Sequence, residues 1–371
     1  MSKVIALYLP QFHPIPENDV WYGKGFTEWT NVAKAKPLFK NHNQPRIPAD
    51  LGFYDLRVPE IRYQQAELAE RFGIDAFSYY HYWFGNGKML LERPLEDMLA
   101  DRKYNFPFML HWANGSWYKK LWSSDVKDEL LIEQTYPGDE DAIAHFYALL
   151  PAFKDSRYIR IDGKIPFAID LPLNSPEIIS IVALWRKLAK KEGIGEFLFI
   201  AHAAHRKESS ILREEGADAL LGPNGPYQGA FDAAMDSQYR KPVYEGIGGK
   251  AKFVLRKIAK LPNLYSYSDA VKTAFGEYDK DERIFPEIFP RFDHSPRSHG
   301  KELIYVGDTP ELFEEYVSDA IKYVRNKSCE RQIIFIRAWN EWGEGNYLEP
   351  DLTTGCGYLE AISRARSKMQ W

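Results

Sequence analysis

Residues 309–340 read TPELFEEYVSDAIKYVRNKSCERQIIFIRAWN, and two periods are written into that one stretch. Over 309–325 apolar residues recur at three- and four-residue spacing with Pro310 in the first turn, which predicts an amphipathic helix. Over 333–338 (IIFIRA) hydrophobicity is unbroken and β-branched, as in a parallel strand covered on both faces. A helix that returns the chain to such a strand is the repeating unit of an α/β fold. The strand half recurs at 4–9 (VIALYL), 74–80 (IDAFSYY), 107–112 (PFMLHW), 165–171 (IPFAIDL), 197–202 (FLFIAH), 218–222 (DALLG) and 284–289 (IFPEIF). The helix half recurs at 58–72, 139–152 and 176–191, and Gly73, Gly193 and Gly216 stand where a C-terminal cap is expected. Eight strands alternating with helices predict a single-domain (β/α)8 TIM barrel around one core. An open doubly wound sheet would carry a glycine-rich phosphate loop after an early strand, and none follows any of these runs.

The bulk properties allow one large α/β domain or two ordinary ones. The 371 residues are 45% hydrophobic, enough for a single extensive core, and the net charge of −4 leaves no basic footprint for nucleic acid. Aromatic residues reach 15%, more than a core needs, so some are expected to line a cleft. Cys329 and Cys356 are the only cysteines, which excludes a disulfide framework and a cysteine-type metal site. No stretch approaches the roughly 18 consecutive apolar residues of a membrane span. The opening MSKVIALYLPQFHP has a short apolar run broken at Pro10, so no secretory leader is expected and a cytoplasmic location is.

Two connections are long enough to be functional: 10–57 after strand one and 223–283 after the sixth predicted strand. Loops that follow barrel strands meet at the carboxyl face, so both are expected to shape a substrate cleft there. The eighth strand runs out into AWNEWGEGNYLEPD, 338–351, where Glu341 and Glu344 lie three apart. Gly343 and Gly345 let the chain turn, so both carboxylates can face one cleft. Glycoside chemistry needs such a pair: one acid for the leaving oxygen, and a second carboxylate as nucleophile, base or hydroxyl partner. Trp339, Trp342 and Tyr347 offer flat faces for pyranose rings, with Asn340 among them for hydroxyls. The glutamates could equally cap a following helix or pair with Arg337.

Other stretches supply further candidates. SYYHYWF (78–84) places Tyr80, His81, Tyr82 and Trp83 at the end of strand two, and HWANGSW (111–117) offers Trp112 or Trp117 for stacking and Asn114 for a hydroxyl. The first insertion contributes Trp21, Tyr22, Lys24, Glu28 and Trp29, then His42, Gln44 and Arg46. These would suit carbohydrate hydroxyls or simply pin a long loop to its barrel. RFDHSPR (291–297) holds Asp293, His294 and Arg297. A metal or nucleophile reading of its Asp-His pair finds no support, because neither a G-x-S-x-G elbow nor an H-E-x-x-H motif occurs. His202 and His205 stand three apart with no carboxylate close in sequence, which suits a structural or substrate-facing role.

Taken together, YLPQFHPIPENDVWYGKGFTEWTNV, QPRIPADLGFYDL, YYHYWF, WAN, RFDHSPR and WNEWGEGNYLEPD resemble a known family, in order and over about residues 4–360. It is the WbsX-type proteins, named as glycosyltransferases and grouped as glycoside hydrolase family 99-like. The family 99 enzymes proper are retaining, endo-acting α-mannosidases and α-mannanases on a (β/α)8 barrel, with an E-W-x-E motif after strand eight. Carried onto this sequence, the resemblance implies Glu344 as general acid/base. It implies Glu341 as the base that deprotonates the sugar 2-hydroxyl, whose oxygen then attacks the anomeric carbon to form a 1,2-anhydro sugar. No metal or organic cofactor is implied. One departure stands out: relatives commonly read ANENW where this chain reads ANGSW, with Gly115 and Ser116 in place of Glu and Asn.

These readings leave three functions to weigh. The first is a retaining glycoside hydrolase on an α-linked, mannoside-like bacterial glycan. The second is a glycosyltransferase of O-antigen or capsular polysaccharide assembly. A nucleotide-sugar enzyme often carries a D-x-D metal motif, and DGK at 162–164 and DAL at 218–220 are ordinary turn and strand starts. That favours hydrolysis or transglycosylation, whereas the expected cytoplasmic location favours synthesis. The third, a carbohydrate-binding protein without catalysis, is disfavoured by the acid pair, since stacking needs no acids. The expected partner is an oligosaccharide or polysaccharide substrate, with no nucleic acid and no membrane span.

Overall fold

The computed structural model describes residues 2–119, 128–203, 206–237, 262–298 and 303–371. Eight parallel strands close on themselves in chain order: β1 (Lys3–Tyr8), β2 (Ala76–Trp83), β3 (Phe108–Trp112), β4 (Ile165–Ile169), β5 (Phe197–Ala203), β6 (Ala233–Ser237), β7 (Ile284–Ile288) and β8 (Ile333–Ile336). Closure is explicit at β1, where Ile5 stands opposite Ala76 of β2 on one side and Phe335 of β8 on the other. The helices around this barrel include α1 (Pro59–Phe72), α2 (Arg93–Ala100), α3 (Asp139–Phe153), α4 (Glu177–Glu192), α5 (Arg206–Glu215), α6 (Ala217–Leu221), α7 (Pro310–Val324) and α8 (Gly357–Met369). Among the described residues no helix is long and apolar enough to cross a membrane.

The expected (β/α)8 barrel is therefore the fold, with one strand displaced. DALLG, read as strand six, folds instead as α6, and the sixth strand is AAMDS at Ala233–Ser237. Alanine and leucine are the strongest helix formers, so a short apolar run built from them is ambiguous. The true strand hides behind small residues: Ala233, Ala234 and Met235 are fully buried without a single β-branched side chain. The connection after it starts correspondingly later, and its residues 238–261 lie outside the described ones, as does His205.

Local signals do the rest. Pro59 opens α1, and Gly73 and Gly193 close α1 and α4 in the left-handed conformation that a side chain would resist. Gly216 follows α5, but its extended ψ starts α6 rather than forming the same cap. Thr309 Oγ1 accepts the Leu312 amide at 3.2 Å and caps α7, whose Phe313, Tyr316, Val317 and Ile321 are wholly buried. Burial of one such side chain stabilises by roughly 1.5–3 kcal/mol. At the amino end of the barrel, Asp75 accepts from the Val4 amide and from Arg366, 2.7 Å each, joining β1, β2 and α8.

At the opposite, carboxyl end two loops rise over the strands. The connection after β1 carries short helices at Pro16–Tyr22 and Glu28–Lys34, held by Phe12, Trp29 and Tyr54 packed ring against ring. The connection after β3 carries an antiparallel hairpin of Trp117–Lys119 with Glu129–Ile132. The space between them lies above the end of β8.

Candidate active site

Beyond β8 the chain makes a two-residue antiparallel pairing, Asn340–Glu341 with Asn346–Tyr347, around a 3-10 turn at Trp342–Glu344. Residues three apart eclipse in such a turn, which brings Glu341 and Glu344 to one side. The two glycines are needed for separate reasons. A Cβ on Gly343 would overlap Glu28 Oε1 and crowd Arg297, while Gly345 sits at φ +57° with no room beside Asp293.

The turn rests on a buried polar and aromatic bed. Trp342 stacks on Tyr347 at 3.6 Å between centroids, and its Nε1 donates to Glu349 Oε2 at 2.6 Å. Glu349 also accepts from Gln65 Nε2 (2.7 Å) and Tyr54 Oη (3.0 Å), and burial pushes its carboxyl up to about 7. Asn340 bonds both the amide and the carbonyl of Leu9, at 2.7 and 3.0 Å, fastening the start of the turn to the end of β1. Every polar atom in this bed that meets a partner fixes the orientation of the two glutamates above it.

Arg297 gathers three carboxylates with one guanidinium. Its Nε donates to Glu28 Oε1 at 2.8 Å, Nη1 to Glu344 Oε1 at 2.7 Å and Nη2 to Glu341 Oε2 at 3.1 Å. Glu341 and Glu344 thus converge on adjacent nitrogens of one planar fork. Arg337 Nη2 approaches Glu344 Oε2 at 3.5 Å and His294 Nε2 approaches Oε1 at 3.8 Å. These neighbours split the pair. Burial, reinforced by Glu344, raises Glu341 to about 7 against the pull of Arg297 and Arg337. Burial would raise Glu344 as well, but Arg297, Arg337 and His294 outweigh it and hold that carboxyl below its ordinary value. Of the two, Glu341 is the one held closer to its protonated form.

A cavity of about 530 Å³ opens over Glu341, floored by Glu28, Arg297 and His294. Its aromatic wall is Tyr22 and Phe26 from the first loop, Tyr82 from β2, and Trp117 and Tyr118 from the hairpin. Gln11, Asn31, Ser116 and Lys119 add hydrogen-bonding groups. Apolar faces with a few convergent polar groups and a perturbed acid describe a small-molecule site. The Ser116 departure from the related sequences falls on this wall. No described residue of the 223–283 connection does.

The residues expected to bind substrate divide sharply. Glu28 and Arg297 reach the cavity with Glu341, and Trp21 supports it from behind, edge-on to Trp117 at 6.0 Å. Lys24 is exposed and off the cavity wall. His81, Trp83 and Trp112 point away from the barrel interior. His81 Nε2 meets His145 Nε2 of α3 at 2.8 Å, Trp83 lies flat on the His145 ring at 4.6 Å, and Trp112 packs edge-on to it at 4.8 Å. Strand alternation is the reason: along β2 it is Tyr80 and Tyr82 that face inward. Burial accordingly drives His81 down to about 3, a core histidine.

Trp29, Trp339, Trp342 and Tyr347 do not stack on a substrate either, because each is at most 8% exposed and covered by other rings or by arginine. Asn114 is buried against the Tyr136 hydroxyl, and Asn340 is consumed by Leu9. His42 and Gln44 both bond Asp293 Oδ2, at 2.8 and 2.7 Å, in a buried clamp. The Asp293 amide in turn donates to the Glu344 carbonyl at 2.7 Å, so this clamp positions the turn from below. The aromatic residues that do form the wall come from loops and from the alternate phase of β2.

Among the described residues, one histidine and carboxylate group has metal-ligand spacing: His111, Asp170 and His202, with Tyr80 lying over the His111 ring at 5.1 Å.

Comparisons with known proteins agree with this architecture. The chain is 34% identical over 370 residues to WxcX of Xanthomonas campestris pv. campestris, strain B100, and the match covers 99% of this chain. The chain spans about half the length of that relative, 50%. In fold it is similar to a glycoside hydrolase-like protein at TM-score 0.60 and 15% identity, covering 98% of this chain and 93% of that one. It is also similar to a glycoside hydrolase family 99 endo-alpha-mannosidase from Bacteroides thetaiotaomicron, at TM-score 0.55 and 14% identity, covering 99% and 97%. At those identities the likeness is one of fold. The sequence profile described as Glycosyltransferase WbsX matches residues 4–362, nearly the whole length, and the chain belongs to the WbsX glycosyltransferase family.

Proposed function

We propose that the protein is a carbohydrate-active enzyme with a single catalytic barrel, a retaining glycoside hydrolase on an α-linked, mannoside-like glycan. One observation carries the reading: two glutamates on one turn converge on a shared guanidinium, and one of them opens into an aromatic-walled cavity. A saccharide lies against Trp117, Tyr82 and Phe26 with its hydroxyls among Gln11, Asn31 and Glu28. Glu341 takes the proton of the 2-hydroxyl as that oxygen attacks the anomeric carbon. Glu344 gives its proton to the departing glycosidic oxygen, and the resulting 1,2-anhydro sugar is opened by water with both transfers reversed. No enzyme nucleophile and no cofactor take part in this scheme.

These roles require the proton on Glu344 and the charge on Glu341, the reverse of the directions in which burial and the neighbouring charges push the two carboxyls. Productive binding must therefore draw Arg297 away from Glu344, which relieves the cation that keeps that carboxyl ionised. The roles separate by leaving group. Glu344→Gln should lower turnover of an intact α-linked oligosaccharide by roughly 10²–10⁴-fold. It should spare release of an activated aryl leaving group, which needs no acid. Glu341→Gln should lose both. If Glu344→Gln cleaves the intact oligosaccharide at the wild-type rate, the assignment is wrong.

The family's designation favours a second reading, sugar transfer. Product that forms only when a nucleotide sugar is added, with no hydrolysis in its absence, would select it.

A further inference from the structure

We propose that His111, Asp170 and His202 form a binding site for one divalent transition-metal ion at the carboxyl end of the barrel, with Glu287 orienting His202. The inference is independent of the roles given to Glu341 and Glu344.

The three ligands come from consecutive strands of the ring, and Glu287 from the next strand but one. His111 lies in β3, Asp170 directly follows β4, His202 lies in β5 and Glu287 in β7. One ligand atom from each of His111, Asp170 and His202 lies within 4.8 Å of the others. His202 Nδ1 stands 2.6 Å from Asp170 Oδ1, and His111 Nε2 stands 4.0 Å from that same oxygen.

His111 supplies the second, separate observation. It is wholly buried, yet neither ring nitrogen has a hydrogen-bond partner. A buried imidazole with both nitrogens unsatisfied is destabilising, so it calls for an explanation. Asp170 Oδ1 and His202 Nδ1, although close, also lack a well-aligned hydrogen bond. Two imidazoles and a carboxylate gathered within 4.8 Å, one imidazole with no partner of its own, suit a cation that would displace the proton lying between His202 and Asp170.

The surroundings match a metal centre in two further respects. His202 Nε2 meets Glu287 Oε2 at 3.0 Å, the carboxylate–histidine arrangement that fixes which nitrogen is left for the metal. The Asp170 side chain keeps 26% of its surface exposed beside its buried Oδ1, so one edge of the cluster meets solvent. Two imidazoles and one carboxylate select zinc or a neighbouring transition ion over magnesium or calcium, which prefer all-oxygen sites.

The test uses the full chain, stripped with EDTA, desalted and titrated with Zn²⁺, Mn²⁺ or Mg²⁺ by calorimetry, with bound metal counted by elemental analysis. One equivalent of Zn²⁺ should bind and raise Tm, and Mg²⁺ should do neither. Asp170→Asn keeps the shape but not the charge and should weaken Zn²⁺ at least tenfold while the metal-free far-UV spectrum stays the same. Glu287→Gln should weaken it roughly 10–100-fold. Zn²⁺ uptake below a tenth of an equivalent, or uptake unchanged in both variants, would overturn the proposal and leave Asp170 and His202 as an ion pair only.

Discussion

Arg297 decides the chemistry available to the acid pair. Among the described residues it is the side chain that touches Glu28, Glu341 and Glu344 together, and its charge lowers both catalytic candidates while burial and the other neighbours set them apart. Removing it withdraws a cation from both, so both carboxyl pKa values rise. In Arg297→Gln the acid limb of the kcat/KM profile should move to higher pH by about one unit or more. A profile that keeps its wild-type limbs would mean the titrating groups lie elsewhere. Gly343 belongs to the same balance, because any side chain there meets the Glu28 carboxylate that anchors Arg297. Gly343→Ala should cut activity more than tenfold with a small change in Tm, a split that a folding defect would not produce.

The turn after β8 and the hairpin after β3 divide the aromatic work between support and contact. Trp342 and Trp339 are bed: replacing either with Ala should cost about 3–5 kcal/mol of stability, as for other buried large side chains. Trp117 is wall, half-buried and in the cavity with Tyr82 against it at 5.0 Å. Trp117→Ala should weaken saccharide binding about tenfold, the loss typical of an exposed aromatic anchor, and leave Tm almost unchanged. Calorimetry of binding beside thermal melts separates the two classes. Equal losses of Tm in both would erase the distinction between bed and wall.

Over the whole molecule, stability should peak on the acid side of neutrality. Glu341, Glu349 and Asp279 are all raised by burial to about 7, so each contributes stability that is present below its unfolded value and lost as pH rises through about 7. Asp170 and Asp293 are depressed despite burial, by His202 and His42 among their partners, and their contribution is lost as pH falls below the usual carboxylate range. Tm should therefore decline from about pH 5 to pH 8. Glu349→Gln, which keeps the shape and removes the titration, should flatten that decline. A slope unchanged in the variant would show that Glu349 is not held neutral.

What the sequence determined by itself was whatever is encoded locally. The periods of 309–340, the proline and glycine helix ends and the Glu341–Glu344 spacing could be read without coordinates, since each depends on neighbours within a turn or a strand. Strand six escaped because AAMDS lacks the β-branched residues that mark a buried strand and DALLG imitates one. The tertiary structure alone decided which phase of β2 faces inward, which aromatics are covered, and which charges meet. Arg297 pairs with a glutamate 269 positions away, and His202 with one 85 away. Such contacts arise from closure of the barrel, which brings strand ends together regardless of their distance along the chain, and no local pattern carries that information.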